Sequence, residues 1–186
     1  MASEEKNQSN IINSELNLNY NKYLFADKPI NRIKTKPKVE DKSTKLDQLR
    51  NEIEKIENCE LKKNASKIVF SDGDNRSKIM IVGEGPGQKE DREGKPFVGD
   101  AGMLLNKMLK SINIERKHVY ITNVVNYRPP NNRKPEAVEI TKYSNFLRKH
   151  ISIINPKILI LMGSTAMESL FGSNIKITKE RGSWKD

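Results

Sequence analysis

Cysteine is almost missing from this 186-residue chain, where Cys59 stands alone. A single thiol excludes an intrachain disulfide and any metal site built from cysteine only. Histidine is nearly as scarce, with His118 and His150 the only two. No apolar run approaches the length of a membrane-spanning helix, so no membrane partner is expected. The opening MASEEKNQSN lacks the basic start and apolar stretch of a secretory signal. A soluble, cytoplasmic protein is the expectation. Apolar residues are sparse too, at 35% against 31% charged. That is lean for a chain folded along its whole length, so part of it is expected to be unfolded.

Positive charge is what the chain has in excess, with a net +10 and a pI near 9.6. A basic surface attracts polyanions, most commonly nucleic acid. A Lys- and Asn-heavy composition from an AT-rich genome accounts for the same figure, and charge alone weighs the two equally.

Apolar residues concentrate after Ile79. Residues 1–43 are rich in Asn, Lys, Ser and Glu and read as a disordered polar arm. Its Lys34, Lys36 and Lys38 can touch a DNA backbone, although a solvated tail is the simpler reading. A folded domain is expected over 44–186. Leu46, Leu49, Ile53 and Ile56 recur at three- and four-residue spacing, which predicts an amphipathic helix capped by Ser43 or Thr44. KIVF (67–70) is a short strand candidate before the turn SDGDN. Strands are then expected at 78–82, 118–125 and 157–163. Helices are expected within 99–112, over 135–154 from Pro135, and over 164–171 with Ser164 as cap. Strands alternating with helices imply parallel strands joined by crossovers. The fold class is α/β, three-layer α/β/α with a central parallel sheet.

Ligands of open α/β sheets bind at the carboxyl ends of strands. Two polar motifs follow strands here: GEGPGQKEDREGKPFVG (83–99) and TNVVNYRPPNNRKP (122–135). The glycines of the first let backbone amides approach a ligand closely. The loop matches neither a G-x-G-x-x-G fingerprint nor a nucleotide-triphosphate loop, and Glu84 would repel phosphate. It suits a neutral ligand and a water. Asn123 offers one donor and one acceptor, which match N3–H and O4 of uracil. Cytosine presents the reverse pattern and leaves buried groups unpaired. Taken alone, Asn123 is more simply a residue capping a turn at a strand end. Phe97 suits stacking on an extruded base or ordinary core contact, equally. Arg128, Arg133 and Lys134 sit among prolines and asparagines. They suit DNA phosphates, or form a solvated charged loop.

Together these segments resemble family 4 uracil-DNA glycosylases. The likeness is carried by GEGPGQKED (83–91), GKPFVGDAGMLLNKML (94–109), VYITNVVNYRPPNNRKP (119–135) and PKILILMGSTAM (156–167). It runs from about Leu46 to Trp184. The resemblance implies uracil excision from DNA by hydrolysis of the N-glycosidic bond of a flipped-out deoxyuridine. It implies that Glu84 and the Gly85 backbone form the water and catalytic loop. Phe97 is implied as the stacking aromatic and Asn123 as the uracil-reading amide. Uracil-containing DNA is the implied partner.

Two departures from the family pattern follow. Members carry a 4Fe–4S cluster on four cysteines, and the matching positions here read Ile56, Cys59, Tyr127 and Tyr143. A cluster needs thiolates. No cofactor is therefore expected, with the tyrosines and Ile56 forming an apolar plug. Without the staple, the alternative is that these loops are loose. The family also carries a His-Pro motif after an Arg-Gly-x-Trp segment, here RGSW (181–184). Its histidine stabilises the leaving base. His118 and His150 lie in the wrong places to replace it. The expectation is a domain incomplete at its C-terminus, without the last strand and helix, leaving the edge of KILIL open. Two functions follow: a cluster-free, monomeric uracil-DNA glycosylase, or an impaired remnant that at most binds nucleic acid. A separately encoded fragment carrying the missing half is a further partner to test.

Overall fold

The computed structural model describes residues 41–185. The polar arm, with its three lysines, lies outside the described residues except for 41–43. Lys42 and Ser43 already belong to the first helix.

The amphipathic helix α1 runs Lys42–Glu54 and buries Leu46, Leu49 and Ile53. Its start differs from the expected cap. Asp41 is the N-cap residue, and no side chain caps it. The helix ends at Glu54, so Ile56, the last residue of the expected stripe, lies beyond it. Cys59 instead precedes a second short helix, α2 (Glu60–Asn64).

KIVF does not form a strand. Ile68, Val69 and Phe70 are buried, but side chains take its backbone groups. The Thr122 hydroxyl donates to the Phe70 carbonyl, and the Asn126 amide donates to that of Val69. Only the Val69 N–H meets another backbone group, the Asn126 carbonyl. No ladder results. The strand lies two residues on, at β1 (Asp72–Gly73), inside the expected turn.

The sheet has four strands: β1, β2 (Ile79–Gly83), β3 (Tyr120–Asn123) and β4 (Ile158–Leu161), in the order β1-β3-β2-β4. Strands β2, β3 and β4 are parallel, as expected, and β1 pairs antiparallel with β3. The expected strand at 118–125 is shorter. A 3₁₀ turn (Arg116–His118) occupies its start, and Val124 and Val125 bond to the Gly83 and Glu84 carbonyls beyond its end.

Helices α3 (Gln88–Glu93), α4 (Asp100–Ser111), α5 (Ala137–Ile154), α6 (Ser164–Phe171) and α7 (Ile177–Glu180) complete the described order. Gly163, rather than Ser164, is the N-cap of α6. Side-chain alternation along the strands separates two cores. Met80, Val82 and Tyr120 face α1, α5 and α6, meeting Leu49, Tyr143, Leu147 and Ala166. Ile81 and Ile121 face α4, meeting Leu105 and Leu109. Three layers result. β4 pairs only with β2, and its Ile158 and Ile160 are exposed, so its outer edge is open among the described residues.

Candidate active site

The two polar motifs meet because β2 and β3 are parallel and in register, with Gly83 opposite Asn123. Both strands end at the same level, so their loops leave side by side. A β-carbon on Gly83 would lie 2.6 Å from Asn123 Oδ1 and 2.6 Å from Phe97 Cε2 and Cζ. The glycine therefore makes room for the aromatic ring and the amide to face one point.

Asn123 is only 3% exposed. Its side-chain amide has no hydrogen-bond partner among the described residues, whereas the neighbouring Asn126 donates to Val69. The residue is almost enclosed, yet its amide atoms stay open to solvent, so they are available to a ligand at the mouth of the sheet. A turn-capping role would have left its amide bonded locally.

Phe97 has φ +53°, in the left-handed region that aromatic residues seldom adopt. Such strain clusters at functional sites. A β-carbon on Gly102 in α4 would collide with the Phe97 carbonyl, so that glycine too is required by close approach. Glu90 ties this turn to the first loop. Its Oε1 accepts from the Val98 and Gly99 amides at 3.0 and 2.7 Å, and its Oε2 from Gly87 at 3.2 Å.

Glu84 is exposed at the start of the glycine loop. Its Oε2 accepts a 2.5 Å hydrogen bond from the hydroxyl of Thr165, itself fully buried in the first turn of α6. Gly85 lies close to Val125, Pro129 and Pro135, where a β-carbon would meet Val125 Cγ2 at 2.7 Å. The structure thus brings together Glu84, Gly85, Phe97 and Asn123.

The basic residues divide. Arg133 forms a two-pronged pair with Glu139 at 2.7 and 2.8 Å, holding that carboxyl below its usual range and its own guanidinium above it. Its charge thus fixes the start of α5 rather than standing free. Arg128 donates to Asn132, while Lys134 is exposed, 3.5 Å from Glu168. Neither histidine reaches the site. His118 closes the turn at the opposite end of β3, and His150 is buried in α5, bonded to the Tyr120 hydroxyl at 2.6 Å.

The four cluster-type positions do not fit an iron–sulfur group. They supply one thiol, and Cys59 is buried with Sγ 3.3 Å from the Tyr143 hydroxyl. Burial pushes the phenols of Tyr143 and Tyr127 up, so both stay neutral and are poor ligands. Among the described residues, no group of three or more His, Cys, Asp or Glu is placed to hold a metal.

Thr165, Glu90, Gly102 and Arg116 were not singled out by sequence reasoning. Glu90 had a local signal, its position three residues into the helix that Gly87 begins. Thr165 sat in a motif read only as a helix start.

Comparison with known proteins bears on this arrangement. The model of the uracil DNA glycosylase superfamily matches residues 70–185. A type-4 uracil-DNA glycosylase of Thermotoga maritima is 44% identical over 131 residues, covering 70% of this chain and 68% of that protein. One of Sulfurisphaera tokodaii is 45% identical over 148 residues, covering 75% and 67%. One of Archaeoglobus fulgidus is 41% identical over 126 residues, covering 68% and 63%. The matched stretches thus span about two thirds of those relatives' length.

Proposed function

The chain belongs to the uracil-DNA glycosylase superfamily, and from that premise we propose that it removes uracil from DNA in base excision repair. The substrate is a deoxyuridine flipped out of the strand, which frees the sugar from stacked neighbours that block water. Water adds to C1′ and loses a proton, the glycosidic bond breaks, and uracil departs with the bonding electrons and takes up a proton at its freed nitrogen. The Glu84 carboxylate, held by Thr165, orients the water beside the Gly85 backbone. Phe97 stacks on the uracil ring, and Asn123 pairs with N3–H and O4. Arg128 and Lys134 are the cations we assign to phosphate, while Arg133 is paired with Glu139. The observation that carries this reading is the Asn123 amide, free of hydrogen bonds among the described residues, beside the strained Phe97 across Gly83.

The test is incubation of the purified chain with a uracil-containing single-stranded oligonucleotide, followed by alkaline cleavage of abasic sites. Product is expected, and Asn123→Ala should reduce its rate by about a hundredfold or more. Absence of product from the unaltered chain overturns the reading.

A second reading, binding to nucleic acid without turnover, is favoured by one observation: neither described histidine reaches the site to stabilise the leaving base. Binding to the same oligonucleotide with no product supports it. We propose further that the chain works in the cytoplasm as a monomer and without an iron–sulfur cluster. No helix of the described residues is long and apolar enough to cross a membrane. A broad visible absorption band with bound iron contradicts the cluster-free proposal. Co-purification with a separately encoded fragment carrying a His-Pro motif tests for the remaining partner.

A further inference from the structure

We infer that Arg116 is the positioning residue of the base-stacking site, a role that rests on the reading of Phe97 as the stacking aromatic. Arg116 lies in the 3₁₀ turn before β3, nineteen positions from Phe97 in sequence. Its guanidinium closes over the turn that carries the ring. Nη2 donates to the Pro96 carbonyl at 2.6 Å, and Nη1 to the Phe97 carbonyl at 3.0 Å and to Asn106 Oδ1 at 3.1 Å. Nε donates to Asp72 Oδ2 at 2.7 Å.

Two consecutive carbonyls turned toward one guanidinium fix the peptide planes on both sides of the Phe97 α-carbon. A planar cation with donors in a rigid fork suits that task better than a flexible ammonium. The left-handed conformation of Phe97 is disfavoured for a side chain of its size and persists only where neighbours over-determine it. Three neighbours do so here. Arg116 holds the carbonyls, Gly102 leaves space for the Phe97 oxygen, and Glu90 accepts from the amides that follow. Of these, Arg116 alone binds the Phe97 carbonyl with a side chain. Asp72, on β1, fixes the guanidinium by an ion pair in which each side chain is only about one quarter exposed, at 22% and 26%. The short antiparallel strand β1 thereby gains a purpose. Its pairing with β3 carries Asp72 to the turn that holds Arg116.

The alternative is that the Arg116–Asp72 pair only staples the fold. Two measurements on the full chain separate the roles. The first is the backbone chemical shifts of Phe97, which report the sign of φ, in the unaltered chain and in R116M and R116K. The second is kcat/KM on the uracil oligonucleotide for R116M, in the native background and in a Phe97→Ala background. The inference expects Phe97 to leave left-handed shifts in both variants. It expects a loss of about tenfold in kcat/KM in the native background and less than about twofold where the ring is absent, the signature of residues acting as one unit. R116K keeps the charge beside Asp72, so it reports on the carbonyl clamp even if R116M does not fold. Unchanged Phe97 shifts overturn the inference whatever the turnover. Equal losses in both backgrounds overturn it too, and assign Arg116 to the fold alone. A chain that shows no turnover but shifted Phe97 resonances fails the glycosylase reading and keeps this one.

Discussion

A single β-carbon at Gly83 is enough to separate Asn123 and Phe97, the two groups to which we assign uracil recognition. It would stand 2.6 Å from both Asn123 Oδ1 and the Phe97 ring, closer than side chains tolerate. Gly83→Ala is expected to leave the melting temperature within a few degrees while lowering kcat/KM by about ten- to a hundredfold, because the misplaced groups are the reading groups. Steady-state kinetics beside a thermal melt distinguishes this from unfolding. A different residue sets the response to acid. His150 is 2% exposed and stacked on Phe70, and burial lowers its pKa to about 3. The folded protein therefore keeps the ring neutral, while the unfolded chain takes up a proton below about pH 6.5. Stability is fully present above that value and falls as pH drops toward 3, by up to about 1.4 kcal/mol per unit. His150→Gln keeps an acceptor for Tyr120 and does not titrate. Its urea midpoint is expected to be flatter than that of the unaltered chain between pH 6.5 and 4.5, and parallel curves would contradict the assignment.

Among the elements, the start of α2 is joined to α5 by the contact of Cys59 with Tyr143. Tyr143→Phe removes one buried hydrogen bond and should cost about 1 kcal/mol in denaturant unfolding. Tyr143→Ala leaves a cavity and should cost about 3–5 kcal/mol. If both variants unfold at the native midpoint, the contact is not a staple. The main helices and β2, β3 and β4 were legible in the chain because their signals are local: apolar runs in the strands and 3.6-residue spacing in α1. β1 was not, because Asp72 and Gly73 are turn-forming residues that become a strand only by pairing with Ile121 and Tyr120. KIVF was misleading for the complementary reason, since Thr122 and Asn126 capture its carbonyls from a distance. At the site, Glu84, Phe97 and Asn123 were legible through a multi-motif likeness. Arg116 carries no local mark, because a charged residue in a turn looks the same whether it faces water or clamps two carbonyls. Arg133 likewise carried no mark of its pairing with Glu139, which lies six residues on.

The molecule as a whole carries a net charge of +10, which sets how it meets DNA. Binding that releases counterions from a single strand weakens linearly in log salt, by about 0.7 per phosphate neutralised. Two phosphate contacts correspond to a loss of about sevenfold in affinity between 50 and 200 mM salt. Fluorescence anisotropy with a labelled oligonucleotide measures this, and a flat response would remove the phosphate role given to Arg128 and Lys134. The two faces of the sheet are unequally covered. Against α4 the buried cluster is only Ile81, Leu105, Leu109, Val119 and Ile121, and Met103, Leu104, Met108 and Ile112 of that segment are exposed. The opposite face is sealed by three helices and most of the buried residues. In the terms of hydrogen exchange, regions with few buried apolar contacts open at low free energy, well short of global unfolding. The amides of α4 should therefore exchange before those of α5, next to the turn that Arg116 and Glu90 hold. A nucleotide entering from that side would meet the part of the protein that yields most cheaply.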